Sequence, residues 1–222
     1  MIKALLLLSL LLAANVSSAK PASQVAWTPE LLAKLKHANA DKGKTLAATC
    51  ASCHGDKGQG SPEENRDGDV LPAIPALAGQ LATYTFKQLR DYANDDKDNA
   101  TMTGIAKNLT EQDAADLALW FSTLPAPSPS GQGSDKAYSL VTEGDGKRII
   151  PPCSVCHGSD GQGEKIDIPA LKGQQVGYLA DALTAYKTGA RHNDIYARMR
   201  LIAEQLSDEE IKALAQYYQA LR

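Results

Sequence analysis

Along the last stretch of the chain, Ile211, Leu214, Tyr218 and Leu221 recur at spacings of three and four. Mid-chain, Leu117, Trp120, Phe121 and Leu124 do the same. That period puts each set on one face of an amphipathic helix. Both stretches open on a hydroxyl residue with an acid three positions later, Thr110 with Asp113 and Ser207 with Glu210. These pairs predict capping boxes, the Asp version being the weaker. Trp27 to His37 predicts a further short helix, capped by Thr28 with Pro29 in its first turn. Asp41 to Thr49 predicts another, running into Cys50. Pro151 and Pro152 cannot lie inside a helix, so the corresponding later helix ends near Gly144 and a loop feeds Cys153. The expected class is all-α.

The pattern at the N-terminus is different. Lys3, the apolar run Leu5 to Ala14 and the small residues Ser17, Ser18 and Ala19 read as a signal peptide over 1–19, cleaved near Ala19. The run is short for a membrane span, and no second apolar run of spanning length follows. The expectation is an exported mature chain.

The two amphipathic helices close two copies of one longer pattern. Cys50, Cys53, His54 and Gly55 match Cys153, Cys156, His157 and Gly158; "PALAGQ" from Pro75 matches "PALKGQ" from Pro169; Met102 matches Met199. The copies span 39–124 and 135–222, with a Pro/Ser/Gly linker at 125–134, an extension at 20–38 and an insertion over 61–70 in the first copy. Aromatic residues make up only 5% of the chain, with two Phe. Domains this small then have thin cores, unless something else supplies apolar bulk. The formal net charge of −3 gives no support to a nucleic-acid partner.

Cys-x-x-Cys-His is the attachment pattern of a c-type haem. Two cysteines three apart reach two vinyl groups of one porphyrin, and the adjacent histidine lies under the iron. The competing readings are a zinc site, redox dithiols and disulfides. Two such motifs use every cysteine in the chain, in an exported protein, and that favours two covalent haems. Cys50, Cys53, Cys153 and Cys156 are then the thioether residues, and His54 and His157 the proximal ligands. Apart from Met1, the only methionines are Met102 and Met199, one per copy at matched positions, so they are the candidate sixth ligands. Pro75 and Pro169 are candidates for the carbonyl that fixes each histidine ring, though they could also simply start the "PAL" turn. His37 and His192 lack this pattern and read as surface or structural. The basic span from Lys187 to Arg200 surrounds Met199, while the acidic run from Asp91 to Asp98 precedes Met102. Positive charge favours the ferrous state, which predicts a higher potential at the second haem.

On these motifs, together with "MTGIAKNLTEQD" and "MRLIAEQLSDEEIKALAQYY", the chain resembles class I cytochromes c joined in tandem, most closely the cytochrome c4 group. The resemblance implies two helical haem domains packed together in the periplasm. It also implies an electron carrier that is not itself an enzyme. The donor would be a cytochrome bc complex or a periplasmic dehydrogenase and the acceptor a terminal oxidase, with peripheral membrane association permitted. The alternative is the electron-accepting subunit of a sulfur-compound dehydrogenase, or a peroxidase or dehydrogenase outright. An enzyme of that kind needs an open iron or a reactive ligand. The long extension and the insertion depart from the family pattern and could serve docking.

Overall fold

A computed structural model describes residues 22–164 and 166–222. The signal peptide and its cleavage near Ala19 lie outside the described residues. The extension holds α1 (Pro29–Lys36), and the first copy is built from α2 (Ala40–Leu46), α3 (Ala51–His54), α4 (Ala82–Ala93), α5 (Ala100–Ala106) and α6 (Glu111–Thr123). The second is built from α7 (Tyr138–Thr142), α8 (Cys153–His157), α9 (Val176–Lys187), α10 (Arg198–Ala203) and α11 (Asp208–Ala220). The all-α expectation holds, with one addition. The insertion folds into a small antiparallel hairpin of β1 (Glu64–Arg66) and β2 (Asp69–Leu71). Asp67 and Gly68 turn it, both at positive φ.

The cap at Thr28 and the two capping boxes are those the sequence predicts; the cap at Asn39 is an addition. Thr28 accepts from Leu31 N–H at 3.2 Å and Asn39 from Lys42 N–H at 3.0 Å. Both capping boxes are complete, including the one that uses Asp113. The helix leading into Cys50 is shorter than expected: α2 ends at Leu46 and a 3₁₀ turn, Ala47–Thr49, follows. In the second copy α7 stops at Thr142, and Gly144 (φ +73°) begins the loop that holds Pro151 and Pro152.

Each copy buries the apolar face of its last helix. Ile211, Leu214 and Tyr218 join Leu140, Val141 and Leu179 in one core. Leu117 and Phe121 pack with Ala47 in another. The extension belongs to the first copy's core. Val25, Trp27, Leu31 and Leu35 cover Phe86, Ala114, Ala115 and Ala118. Ser23 Oγ donates to Asp91 at 2.5 Å and Gln24 N–H to Asp96 at 2.8 Å. No helix among the described residues is long and apolar enough to cross a membrane.

The two copies meet through a reciprocal exchange of hydrogen bonds. Gln80 receives Ala170 N–H at 2.9 Å and donates to Ala170 O at 3.0 Å. Gln174 receives Ala76 N–H at 2.8 Å and donates to Ala76 O at 3.0 Å. A buried polar layer lies alongside. Lys87 Nζ donates to Asp91 and to the Asn193 carbonyl, both at 2.6 Å, and Asn193 Nδ2 donates to Asp91 at 2.7 Å. Arg191 donates to Tyr84 OH at 2.9 Å and to Gln88 at 3.0 Å, and stacks 4.5 Å from the centre of the Tyr186 ring.

Candidate functional site: paired cysteine–histidine clefts

In each copy the sequence after the histidine folds back beneath it. Gly55 (φ +81°) and Gly158 (φ +82°) end α3 and α8 in a conformation that disfavours side chains. A turn follows in which Gln59 accepts from Lys57 N–H at 3.0 Å and Gln162 from Asp160 N–H at 3.1 Å. Gly60 N–H then donates to His54 O, and Gly163 N–H to His157 O, each at 2.8 Å. Gly58 O receives Leu77 N–H, and Gly161 O receives Leu171 N–H. These bonds lay the "PAL" segment against the histidine.

The result is one geometry built twice. His54 Nδ1 stands 2.9 Å from Pro75 O, and His157 Nδ1 stands 3.0 Å from Pro169 O. A carbonyl can only accept, so Nδ1 carries the proton and Nε2 is left with its lone pair. Burial holds both imidazoles below their usual pKa, against the smaller upward pull of the carbonyl, and so favours the neutral ring.

All eight residues expected to hold the cofactors line one cavity of about 1150 Å³: Cys50, Cys53, His54 and Met102 from the first copy, Cys153, Cys156, His157 and Met199 from the second. The volume exceeds what usually encloses one small ligand. Met102 lies on α5, where Asn99 caps the helix by accepting Met102 N–H at 2.9 Å. Met199 lies on α10, entered through a left-handed Tyr196–Ala197 pair. The remaining lining is largely apolar, with Leu77, Leu109 and Phe121 on one side and Leu171, Leu206 and Tyr218 on the other. His37 is exposed at the end of α1, and His192 is not among the lining residues.

These walls fit large apolar groups that carry a few acceptors. Thr85 and Tyr218 each bury a hydroxyl that has no protein partner, and both stand on the cavity wall. Burial raises the pKa of Cys50 and pushes Cys153 up to about 11, the opposite of an activated redox dithiol. Among the described residues no three His, Cys, Asp or Glu side chains gather as a metal cluster. A joint zinc site therefore has no basis there. Sequence reasoning missed the two glutamine pairs. Gln59 and Gln162 shape the turns, and Gln80 and Gln174 join the copies. Their only signal was their repetition in "GQG" and "PALxGQ".

The charges expected to separate the two sites are only partly available. Arg200 is paired with Asp194 at 2.8 Å and Lys187 with Asp208 at 2.7 Å, while among the described residues Arg198 meets the Ile195 carbonyl alone, at 3.3 Å. In the acidic run Asp91 is bound by Lys87, and Asp95 pairs with Lys107 at 2.8 Å.

The cytochrome c family model matches residues 40–125 and 144–222. A thiosulfate dehydrogenase electron acceptor from Thiomonas intermedia is 35% identical over 179 residues, covering 78% of this chain and 79% of the relative. A cytochrome c4 from Azotobacter vinelandii is 35% identical over 204 residues, covering 84% and 92%. The crystal structure of reduced recombinant cytochrome c4 from Pseudomonas stutzeri superposes with a TM-score of 0.73 at 32% identity, covering 83% of this chain and all of that one. With the motif, the fold and the doubled cleft agreeing, the chain belongs to the cytochrome c family as a tandem class I member carrying two covalently bound haem c groups.

Proposed function

We propose that this protein is a periplasmic two-haem electron carrier, one copy per haem over 39–124 and 135–222, and not itself an enzyme. Cys50 and Cys53, and Cys153 and Cys156, are assigned as the thioether anchors. His54 with Met102, and His157 with Met199, are assigned as the axial pairs. Haem iron supplies a one-electron couple, and His/Met ligation raises its potential. The chain's own residues keep the ligands still. The Pro75 and Pro169 carbonyls fix the two rings, α5 and α10 carry the methionines, and the apolar walls limit water. Fixed ligands mean little reorganisation when an electron arrives.

The observation that carries this reading is the duplicated histidine–carbonyl cleft with one methionine per copy on a shared cavity wall. A redox titration of the holoprotein tests it. Two reversible one-electron steps, with neither thiosulfate nor peroxide turned over, fit a carrier. Turnover of either compound would make the protein an enzyme. A second reading is that the carrier serves a thiosulfate dehydrogenase as its electron acceptor. It is favoured by the printed name of the Thiomonas relative, of which this chain covers 79%. Rapid reduction by such a dehydrogenase in the presence of thiosulfate would support it. Reduction only by a quinol-oxidising membrane complex would favour the respiratory role.

A further inference from the structure

Away from the clefts, the two copies differ in what covers their longest helices. On the first copy the extension lies across α4 and α6. Trp27, Leu31 and Leu35 cover Phe86, Ala114, Ala115 and Ala118, which are all fully buried. The Trp27 and Phe86 rings meet with centres 6.3 Å apart, and Lys34 reaches Glu111 in the first turn of α6. The second copy is preceded by the Pro/Ser/Gly linker instead, and that linker holds no helix.

The matching surface on the second copy is therefore open. By the repeat, Phe86 corresponds to Ala180, Ala114 to Ile211, Ala115 to Lys212 and Ala118 to Ala215. All four counterparts line a groove of about 320 Å³ between α9 and α11. A ring fills the first copy where the second has only the Ala180 methyl. Thr184, Asp208 and Lys212 are exposed at the mouth of the groove, and none of them lines the large haem cavity. Ala215, buried on the floor, lines both. Carboxylates mark the two ends. Asp208, the counterpart of Glu111, stands at one end, its side chain 87% exposed although one oxygen meets Lys187 at 2.7 Å. Glu63, from the insertion, stands at the other, its Oε2 3.9 Å from the place a Cβ on Gly177 would take. With exposed Glu209, three acids around the groove outnumber the two cations Lys187 and Lys212.

We propose that the α9–α11 groove binds an amphipathic helix of a partner protein, one with an aromatic or leucine face for the floor and lysines for Asp208 and Glu63. The chain carries the pattern of such an occupant in its own extension. Helix-in-groove docking uses apolar anchors one turn apart, and Leu31 and Leu35 have that spacing. Lys34 takes Glu111 on the first copy as a partner's lysine would take Asp208 on the second. The charge balance around the groove favours a cationic helix over an acidic one. A second copy of this chain is a poor occupant, because its own α1 is already committed to its first domain. The groove is separate from the eight cofactor residues, so the proposal stands apart from the electron-carrier reading.

A synthetic peptide of residues 23–38, blocked at both ends, has the stated chemistry and serves as the probe. It is titrated into isotope-labelled, fully reduced holoprotein while the backbone amide NMR signals are followed. Saturable shifts are expected along α9 and α11. Ala180→Phe restores the ring of the first copy and should weaken binding about tenfold by filling the floor. Thr184→Trp blocks the groove from an exposed position, so it should weaken binding similarly even if the first variant does not fold. Asp208→Asn should weaken binding about threefold at low salt and reduce its salt dependence. A peptide carrying Trp27→Ser, Leu31→Ser and Leu35→Ser should leave the signals unmoved. Absent shifts, equal shifts from the serine peptide, or binding unaffected by the groove-filling variants would overturn the proposal. Shifts confined to α4 and α6 would overturn it too, since the peptide would then only displace the chain's own extension. A wild-type dimer in sedimentation that Ala180→Phe or Thr184→Trp dissociates would make a second copy the occupant and likewise overturn it.

Discussion

His54 and His157 each face a single proline carbonyl, and that one bond decides which ring nitrogen is left for a metal. Met102 and Met199 are proposed as the second protein ligand of each iron. Met102→Ala and Met199→Ala should each open one haem, giving a high-spin fraction and carbon monoxide binding to half of the haem in the optical spectrum. Full low-spin character in either variant would remove that methionine from the ligand set. The arginines separate by their pairing. Arg198→Gln should lower the second haem's potential by on the order of 20 mV, the Coulomb energy of a unit charge about 10 Å away through water. Arg200→Gln should do less, because Asp194 already neutralises it at 2.8 Å. Equal shifts in a spectroelectrochemical titration would contradict this.

The elements show why some of this was readable in the sequence. The last helix of each copy declares itself by its apolar period and capping box, and the structure returns α6 and α11 as expected. The Cys-x-x-Cys-His motif fixes its own chemistry over five residues. The hairpin in the insertion was less visible, because only Asp67-Gly68 signals it and both strands are exposed, without alternation. The role of Gly163 was not readable at all, since it depends on the segment that returns beneath the histidine. A Cβ there would lie 2.5 Å from Ala170 N and 2.6 Å from Ile168 O, on a backbone with φ +75°. Gly163→Ala should therefore displace the Pro169 carbonyl and cost about 2–4 kcal/mol in chemical denaturation of the holoprotein. A loss below about 0.5 kcal/mol would mean that the turn does not hold the ring.

At the scale of the whole molecule, the join between the copies depends on pairs that no single-copy pattern could reveal. Gln80 and Gln174 look alike in sequence, but only the packed structure shows that each satisfies an alanine of the other copy. Lys87 is fully buried between Asp91 and the Asn193 carbonyl. Lys87→Met would leave Asp91 charged without its cation and should cost about 3–5 kcal/mol in a denaturation midpoint analysis. A neutral result would show that Ser23 and Asn193 suffice. Burial also pushes the Asp167 carboxyl up to about 6, outweighing the nearby Lys87. A raised carboxyl pKa means the folded state holds its proton longer. Stability should therefore fall as pH rises from about 4 to about 6, and Asp167→Asn should flatten that fall. On the proposed function, both irons are closed by one histidine and one methionine, as a carrier requires. The most direct measurement is the optical spectrum of the purified holoprotein, ferric and ferrous, with and without carbon monoxide. Two low-spin haems with a ferric methionine-to-iron band and no carbon monoxide binding are predicted. A wild-type high-spin fraction, or one haem that takes carbon monoxide, would contradict the account and put a catalytic iron in its place.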